Sequence, residues 1–226
     1  MTALPGIRAC VFDAYGTLFD IQSPVARLRE RLGVKAAQLS VVWRAKQLEY
    51  TWLRTLMRCH ADFWQVTGDA LDFALAETGL DDAVVRQDLL DEYLTLDAYE
   101  DAEPVLQWLR ASNVKTAILS NGTPDMLAAA TRSAGLDEWL DAVLSIEEAG
   151  VYKPDPAAYT IAVDRLGMPA EAICFVSTNG WDAVGAASFG YRVAWLNRFG
   201  RPPERLPARP DAEITGLDAL PPLLGL

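Results

Sequence analysis

Four short polar segments could carry chemistry in this chain, and each follows an apolar run typical of a β-strand or of the turn after one. The first is Asp13, which ends such a run and precedes Gly16 in a tight turn. The others are Ser120-Asn121-Gly122, Tyr152-Lys153-Pro154 and the segment from Ser177 to Asp182. Because the carboxyl ends of parallel strands share one edge of a sheet, we expect these side chains to form one site.

The residue two positions after Asp13 limits the reaction type. A second aspartate there would suit phosphoryl transfer, but this sequence has Tyr15. The Asp13 carboxylate is therefore expected to act on something other than a phosphate.

Strand and helix patterns alternate through most of the chain. The predicted strands are Arg8 to Asp13, Lys115 to Ser120, Ala142 to Ser145, Ile173 to Ser177 and Arg192 to Leu196. The predicted helices lie near Glu103 to Ser112, Pro124 to Ala134, Pro156 to Leu166 and Trp181 to Phe189. This alternation indicates an α/β fold, a doubly wound parallel-sheet (Rossmann-like) core with helices on both faces.

One interval lacks strand signals. After Ser23-Pro24, which resembles a helix start, helical patterns repeat over Leu39 to Met57, near Ala70 to Thr78 and over Asp82 to Tyr93. We predict a helical cap domain over residues 21–97, inserted after the first strand, and a core domain made of residues 1–20 and 98–226. In the long cap helix the predicted buried stripe is Val42, Ala45, Leu48, Trp52 and Leu56.

Composition excludes several functional classes. The net charge of -11 over 226 residues disfavours binding to nucleic acid or to an anionic membrane. No run reaches the roughly 20 apolar residues of a membrane helix, and the segment from Met1 to Pro5 shows no secretory signal. Cys10, Cys59 and Cys174 form no C-x-x-C pair, which favours reduced thiols and a cytoplasmic location.

The four segments, in this order, resemble the haloacid dehalogenase superfamily and, within it, the L-2-haloacid dehalogenases, also called type II haloacid dehalogenases. The resemblance covers nearly the whole chain. It includes the segment from Trp43 to Arg54, which is similar to the arginine-bearing cap helix of those enzymes. The sequence departs from the family pattern at Ala45, Thr178 and Gly180, which leaves the preferred haloacid open, from chloroacetate to fluoroacetate.

The resemblance implies hydrolysis of short-chain (S)-2-haloalkanoic acids to (R)-2-hydroxy acids in two steps. Asp13 attacks the halogen-bearing C2 with inversion and forms an aspartyl ester, and Asp182 then orients a water onto the ester carbonyl. Arg44 and Asn179 donate to the departing halide. The implied catalytic set is completed by Thr17, Lys153 and Ser177. The implied substrate-binding set is Ala14, Tyr15, Arg44, Leu48, Phe63, Ser120, Asn121, Tyr159 and Trp181.

The same residues argue against a metal or other cofactor. With a monoanionic haloacid bound, three negative charges face the two cations Lys153 and Arg44, so the site is nearly balanced. Where the magnesium-dependent phosphatases of the superfamily use further aspartates, this chain has Tyr15 and Thr178. The expected ligands are a 2-haloacid and halide, and the family resemblance implies a homodimer.

Three alternatives stay open at this point. A related hydrolase could use the same aspartyl ester to open a strained cyclic amino acid such as azetidine-2-carboxylate. A magnesium-dependent phosphatase and a non-catalytic binding protein are the other two. His60 is the only histidine, so a metal site with several histidine ligands is excluded.

Overall fold

A six-stranded parallel sheet forms the centre of the computed structural model, which describes residues 3–80 and 82–226. Its strands are β1 (Ala9–Phe12), β2 (Lys115–Ser120), β3 (Ala142–Ser145), β4 (Ile173–Ser177), β5 (Arg192–Leu196) and β6 (Ala212–Ile214). All residues of β1 and β4 are buried, as expected for central strands covered on both faces.

The strand order is β3-β2-β1-β4-β5-β6, so the direction of winding reverses between β1 and β4. Phe12, the last residue of β1, pairs with Ile118 of β2 and with Val176 of β4. The residues that follow these three strands therefore emerge at one edge of the sheet, beside the point where the strand order reverses. In open α/β sheets this crevice is where ligands bind.

The helices account for most of the remaining chain. They are α1 (Ser23–Arg27), α2 (Arg29–Leu32), α3 (Ala36–Met57), α4 (Phe63–Thr78), α5 (Ala83–Tyr93), α6 (Ala102–Ala111), α7 (Pro124–Ser133), α8 (Pro156–Leu166), α9 (Gly180–Phe189) and α10 (Leu220–Leu224). Short 3-10 helices span Gly33–Lys35, Asp137–Trp139, Ile146–Ala149, Ala170–Ala172 and Leu217–Ala219. Within the described residues no helix is both long and apolar enough to cross a membrane.

The predicted α/β class and the five predicted strands are confirmed, with β1 shorter by one residue at each end. The sheet has a sixth strand, β6, that the sequence analysis did not predict. Its three residues follow the proline-rich segment 201–210 and pair with β5 at the sheet edge. A strand so short carries too little alternation to be recognised from its pattern.

The helical segment between β1 and α6 leaves the core and returns to it at one place. Phe19 forms an isolated antiparallel bridge with Ala98, and the Asp20 N–H donates to the Asp97 carbonyl at 2.8 Å. These contacts coincide with the predicted cap boundaries. The division into core and cap stays a prediction, and residues 1, 2 and 81 of the predicted domains lie outside the described residues.

The predicted buried stripe of the long cap helix is wrong by one residue. The buried positions of α3 are Ala36, Leu39, Trp43, Gln47 and Thr51. Leu56 of the predicted stripe is 79% exposed, and Ala45 is also exposed. Two polar residues occupy the buried face, and each has hydrogen-bond partners there, so a pattern based on apolar residues alone selected the neighbouring face.

Candidate active site

The Asp13 carboxylate lies directly after β1 and is 7% exposed. Its Oδ2 accepts from Asn179 Nδ2 at 2.8 Å and from the Thr17 hydroxyl at 3.3 Å, with the Ser177 hydroxyl at 3.5 Å. Its Oδ1 accepts from Lys153 Nζ at 3.2 Å. These contacts leave the carboxylate fixed in orientation and placed at the crevice between β1 and β4.

A buried lysine joins the two carboxylates of the site. Lys153 is 1% exposed, and its Nζ lies 3.2 Å from Asp13 Oδ1 and 3.1 Å from Asp182 Oδ2. Asp182, in the first turn of α9, also accepts from the Tyr159 hydroxyl at 2.7 Å through Oδ1. The positive charge of Lys153 thus offsets the negative charges of two buried carboxylates that would otherwise repel each other.

Burial and charge shift the pKa values of these groups in directions that matter for chemistry. Desolvation by burial raises the pKa of the Asp182 carboxyl above its usual 3.8, and the Lys153 cation opposes that rise. Burial lowers the pKa of the Lys153 ammonium, but the charges of Asp13 and Asp182 outweigh it, so the net pKa lies above 10.5. A raised pKa suits Asp182 to take a proton from water.

Free hydrogen-bond donors face the same edge of the sheet. Within the described residues, no hydrogen bond uses the backbone N–H of Ala14, Tyr15 or Asn121. The buried Ser120 hydroxyl accepts from the Gly122 N–H at 3.1 Å and keeps its own hydrogen available. Such converging backbone and hydroxyl donors are suited to a carboxylate or another small anion.

The helical segment contributes one cation to the site. Arg44 is half-buried on α3, and its Nη2 lies 3.4 Å from Asn179 Oδ1, while its Nη1 donates to Gln47 Oε1 at 2.8 Å. The Asn179 amide therefore contacts both Arg44 and Asp13.

Aromatic side chains form the apolar surroundings. The Tyr15 ring centroid lies 5.7 Å from that of Phe63 and 5.5 Å from that of Tyr93. Trp181 packs edge-to-face on Trp52 at 5.3 Å. A pocket of about 480 Å³ beside Lys153 is bordered by Trp52, Leu56, Tyr152, Trp181 and Leu206.

Most sequence-predicted site residues converge. Six of the seven predicted catalytic residues form one hydrogen-bonded cluster around the two carboxylates and their lysine: Asp13, Thr17, Lys153, Ser177, Asn179 and Asp182. Tyr159 joins this cluster, and Asn121 accepts from the Lys153 N–H at 3.2 Å. Among the described residues, Arg44 is hydrogen-bonded to this cluster through Asn179, and Leu48 is half-buried on α3 with an apolar side chain. Their roles in catalysis stay predictions.

The sequence analysis missed Gln47 and Tyr93, which lie against Arg44 and Tyr15. The available signal was a glutamine three residues after Arg44, on the helix face that carries Trp43 and Leu39. A polar residue on a buried face is informative because burial costs free energy unless its hydrogen bonds are made.

The side chains provide few ligands for a metal ion. Across residues 3–80 and 82–226, no group of three or more histidine, cysteine, aspartate or glutamate side chains could hold one. Tyr15 packs among aromatic rings, and the Thr178 hydroxyl is buried without a protein partner in that part of the chain. The site's own cation, Lys153, occupies the space between its two carboxylates.

The chain is similar in sequence to a known family of hydrolases. A model of the haloacid dehalogenase-like hydrolases matches residues 7–190. The chain is 47% identical over 219 residues to (S)-2-haloacid dehalogenase 4A of Burkholderia cepacia, covering 96% of this chain and 95% of that protein.

Solved structures agree with the sequence comparison. A dehalogenase crystal structure with an intermediate complex superposes with a TM-score of 0.96 at 45% identity, covering 98% of this chain and 99% of that one. The L-2-haloacid dehalogenase from Xanthobacter autotrophicus with chloropropionic acid covalently bound gives a TM-score of 0.90 at 38% identity, with coverage of 96% and 98%.

Proposed function

The chain belongs to the haloacid dehalogenase-like hydrolases, and on that premise we propose that it is an (S)-2-haloacid dehalogenase. It hydrolyses short-chain (S)-2-haloalkanoic acids to (R)-2-hydroxy acids through an ester on Asp13. Relatives that are 44–47% identical over nearly the whole chain carry this activity in their names.

In the first step an Asp13 carboxylate oxygen attacks C2 of the haloacid, and the carbon–halogen bond breaks with its electron pair leaving on the halide. Lys153, Asn179 and Thr17 hold the carboxylate in one orientation. Because both reactants are anions, this fixed alignment and the nearby cations supply a large part of the rate enhancement.

The substrate carboxylate is held at the ends of β1 and β2. The Ser120 hydroxyl and the unused N–H groups of Ala14, Tyr15 and Asn121 are its donors. Tyr15, Leu48, Phe63 and Trp181 provide the apolar walls around the alkyl group. Arg44 stabilises the departing halide, whereas the Asn179 amide nitrogen donates to Asp13 Oδ2 and to the Tyr15 carbonyl.

In the second step water attacks the carbonyl carbon of the Asp13 ester. Asp182 takes a proton from that water, aided by its raised pKa, and its orientation is set by Lys153 and the Tyr159 hydroxyl. The bond between the aspartyl carbonyl carbon and the alkoxy oxygen then breaks, and the alkoxide takes the proton back from Asp182 and leaves as the 2-hydroxy acid. The second proton of the water is lost from the Asp13 carboxyl to solvent, so Asp13 is again a carboxylate.

The observation that carries this proposal is the buried Lys153 between the two carboxylates, at 3.2 Å and 3.1 Å. It allows one carboxylate to act as nucleophile and the other as base within one enclosed site, with no need for a bound metal ion. Halide release that persists in a chelator and does not rise with added magnesium is the matching expectation.

Single turnover in oxygen-18 water with (S)-2-chloropropionate tests the ester. With enzyme in excess, the label enters Asp13 and the first product stays unlabelled, because water attacks the aspartyl carbonyl carbon. A first product that carries the label directly would show that water attacks C2 and would reject the ester mechanism. The (R) substrate is the matched control and is expected to release no halide.

The same proposal includes the cap, the assembly and the location. Residues 21–97 form a helical cap over the site, supported by the Phe19 and Ala98 bridge at its base. A homodimer is supported by Leu53, Leu56 and Met57, which are 41%, 79% and 60% exposed on one end of α3. A cytoplasmic location is supported by the free thiols of Cys10, Cys59 and Cys174.

Light scattering during gel filtration tests the homodimer. The wild-type chain is expected to elute with twice the chain mass, and Leu56→Glu is expected to shift it toward one chain mass. Val34→Glu is the matched control because Val34 is 99% exposed outside this patch. A monomeric wild type would reject the dimer without affecting the proposed reaction.

A further inference from the structure

We propose that Gln47 is a positioning residue for the Arg44 guanidinium: a neutral oxygen that orients the guanidinium toward the halide without neutralising its charge. The proposal rests on the proposed function, in which Arg44 receives the departing halide. It adds a buried residue of α3 whose part in the reaction is separate from the acid–base groups of the core.

The orientation of the Gln47 amide is determined by its neighbours. The Thr67 hydroxyl donates to the Phe63 carbonyl at 2.7 Å, so its oxygen must accept the bond of 2.7 Å from Gln47 Nε2. The opposite end of the amide is therefore the oxygen, and it faces Arg44 Nη1 at 2.8 Å.

Three helices hold this amide in place. Gln47 is 1% exposed on α3, Thr67 lies on α4, and the Tyr93 hydroxyl at the end of α5 lies 3.1 Å from Gln47 Nε2 and 3.3 Å from its Oε1. The Tyr93 ring packs on Trp43 at 5.4 Å between centroids, and Trp43 Nε1 donates to the Thr67 carbonyl at 3.0 Å. A side chain so enclosed can impose its own orientation on the more exposed Arg44.

The partners of Arg44 differ from those of the other arginines packed into the fold. The other half-buried arginines each pair with a carboxylate: Arg54, Arg86, Arg192 and Arg198. In the part of the chain that the structure describes, no carboxylate oxygen lies within 4.0 Å of the Arg44 guanidinium, and its two side-chain partners are the amide oxygens of Gln47 and Asn179.

Amide oxygens are the right partners for a cation that must stabilise developing negative charge. A carboxylate in the position of Gln47 would hold the guanidinium equally well, but it would cancel the charge that the halide needs. Glutamate, which has nearly the same shape, would bring this opposing charge and would also lack the N–H that the Thr67 hydroxyl accepts.

The test compares Gln47→Met and Gln47→Glu with the wild type, using the (S) forms of 2-chloropropionate and 2-bromopropionate. Rapid-mixing halide release measures ester formation, and the decay of the accumulated ester measures hydrolysis. Thr51→Val is the matched control, since Thr51 is a buried polar residue one turn further along α3 whose hydroxyl donates to the Leu48 carbonyl at 2.6 Å.

We expect Gln47→Met to slow ester formation by about 10- to 100-fold, the cost of a misplaced catalytic group. The loss should be larger for chloride than for bromide, because the poorer leaving group depends more on stabilisation. Gln47→Glu should slow ester formation as well, although it preserves size and the contact with Arg44. Ester hydrolysis should stay near the wild-type rate in both variants, and Thr51→Val should keep the wild-type ratio of the two halides.

Two outcomes would overturn the proposal. Wild-type halide release by Gln47→Glu would show that the neutral charge has no role. Equal slowing of both chemical steps by Gln47→Met, with an unchanged chloride-to-bromide ratio, would show a packing role only. If Gln47→Met does not fold, Gln47→Glu decides alone. A wild-type chain that releases no halide would instead reject the proposed function.

Discussion

The two sides of the site are held in different ways. On the sheet side, the Asp13 carboxylate accepts three hydrogen bonds of 3.3 Å or less, from Lys153, Asn179 and Thr17. On the side of the α3 helix, Arg44 reaches the core through one contact of 3.4 Å with Asn179. The sheet therefore holds the proposed bond-forming groups, whereas α3 carries the arginine proposed to receive the halide. Substitutions on the sheet side should abolish one chemical step, whereas substitutions on the α3 side should only slow a step.

The largest effect is expected for Asp13→Asn. The amide keeps the shape but lacks a nucleophilic carboxylate, so halide release should fall by about 10⁴-fold or more, as when nucleophiles are removed from other covalent enzymes. Stopped-flow halide detection measures the rate, and thermal unfolding controls for folding. Turnover near the wild-type rate would remove the basis for placing the reaction on the sheet side.

Asp182→Asn should separate the two steps on the sheet side. Ester formation needs Asp13, whereas hydrolysis needs the proton acceptor, so the variant should release about one halide per site and then slow by about 10²- to 10⁴-fold. Mass spectrometry of the intact chain should show the ester on the protein. Loss of the initial halide burst would mean that Asp182 also serves the first step.

The sheet side of the site could be predicted from the sequence better than the α3 side. Ser120 and Ser177 end strands and Asp13 follows one, and a parallel sheet brings strand ends together whatever the loop details. Their proximity could therefore be predicted from order and strand pattern. The three-residue strand β6 could not, because its pattern is too short.

The contacts of α3 could not be predicted with the same success. The apolar residues of α3 suggested a stripe through Leu48, Trp52 and Leu56, but packing against α4 buries Trp43, Gln47 and Thr51. Which polar residue can be buried depends on partners such as Thr67, which is 20 positions away in sequence. Helix periodicity carries no information about such partners, so Gln47 was missed.

Arg44→Lys tests the helical side directly. Lysine keeps the charge but replaces the planar fork by a point donor, so the bond to Gln47 and the contact with Asn179 cannot both be kept. We expect ester formation to fall by about 10²-fold, more for chloride than for bromide, with ester hydrolysis unaffected. Stopping both steps equally would make Arg44 a member of the sheet-side set.

A smaller effect is expected where the helical segment contacts the core away from the reaction. Glu147 Oε1 accepts from the Phe63 N–H at 3.1 Å, and Oε2 lies 2.9 Å from His60 Nε2. Glu147→Ala removes both acceptors, so Phe63 should be placed less firmly and KM should rise by about 2- to 5-fold with kcat unchanged. Glu148→Ala is the control, because Glu148 pairs with the exposed Arg165. A lower kcat in Glu147→Ala would show that this contact affects the chemistry itself.

The smallest effect is expected for alkaline pH. The net pKa of Lys153 is raised above 10.5 by Asp13 and Asp182 despite its burial, so the ammonium stays protonated throughout the neutral and mildly alkaline range. Its contribution to folding stability is complete below 10.5 and is lost only as pH rises through the higher folded-state pKa. Single-turnover halide release should therefore change less than about 2-fold between about pH 8 and pH 10. A fall in halide release near pH 9, absent from Lys153→Arg, would show that Lys153 titrates early and that its two carboxylates do not control it.

At acid pH the rate of ester hydrolysis depends on Asp182. Because its pKa is raised, ester hydrolysis should be lost above pH 3.8 as the solution is acidified.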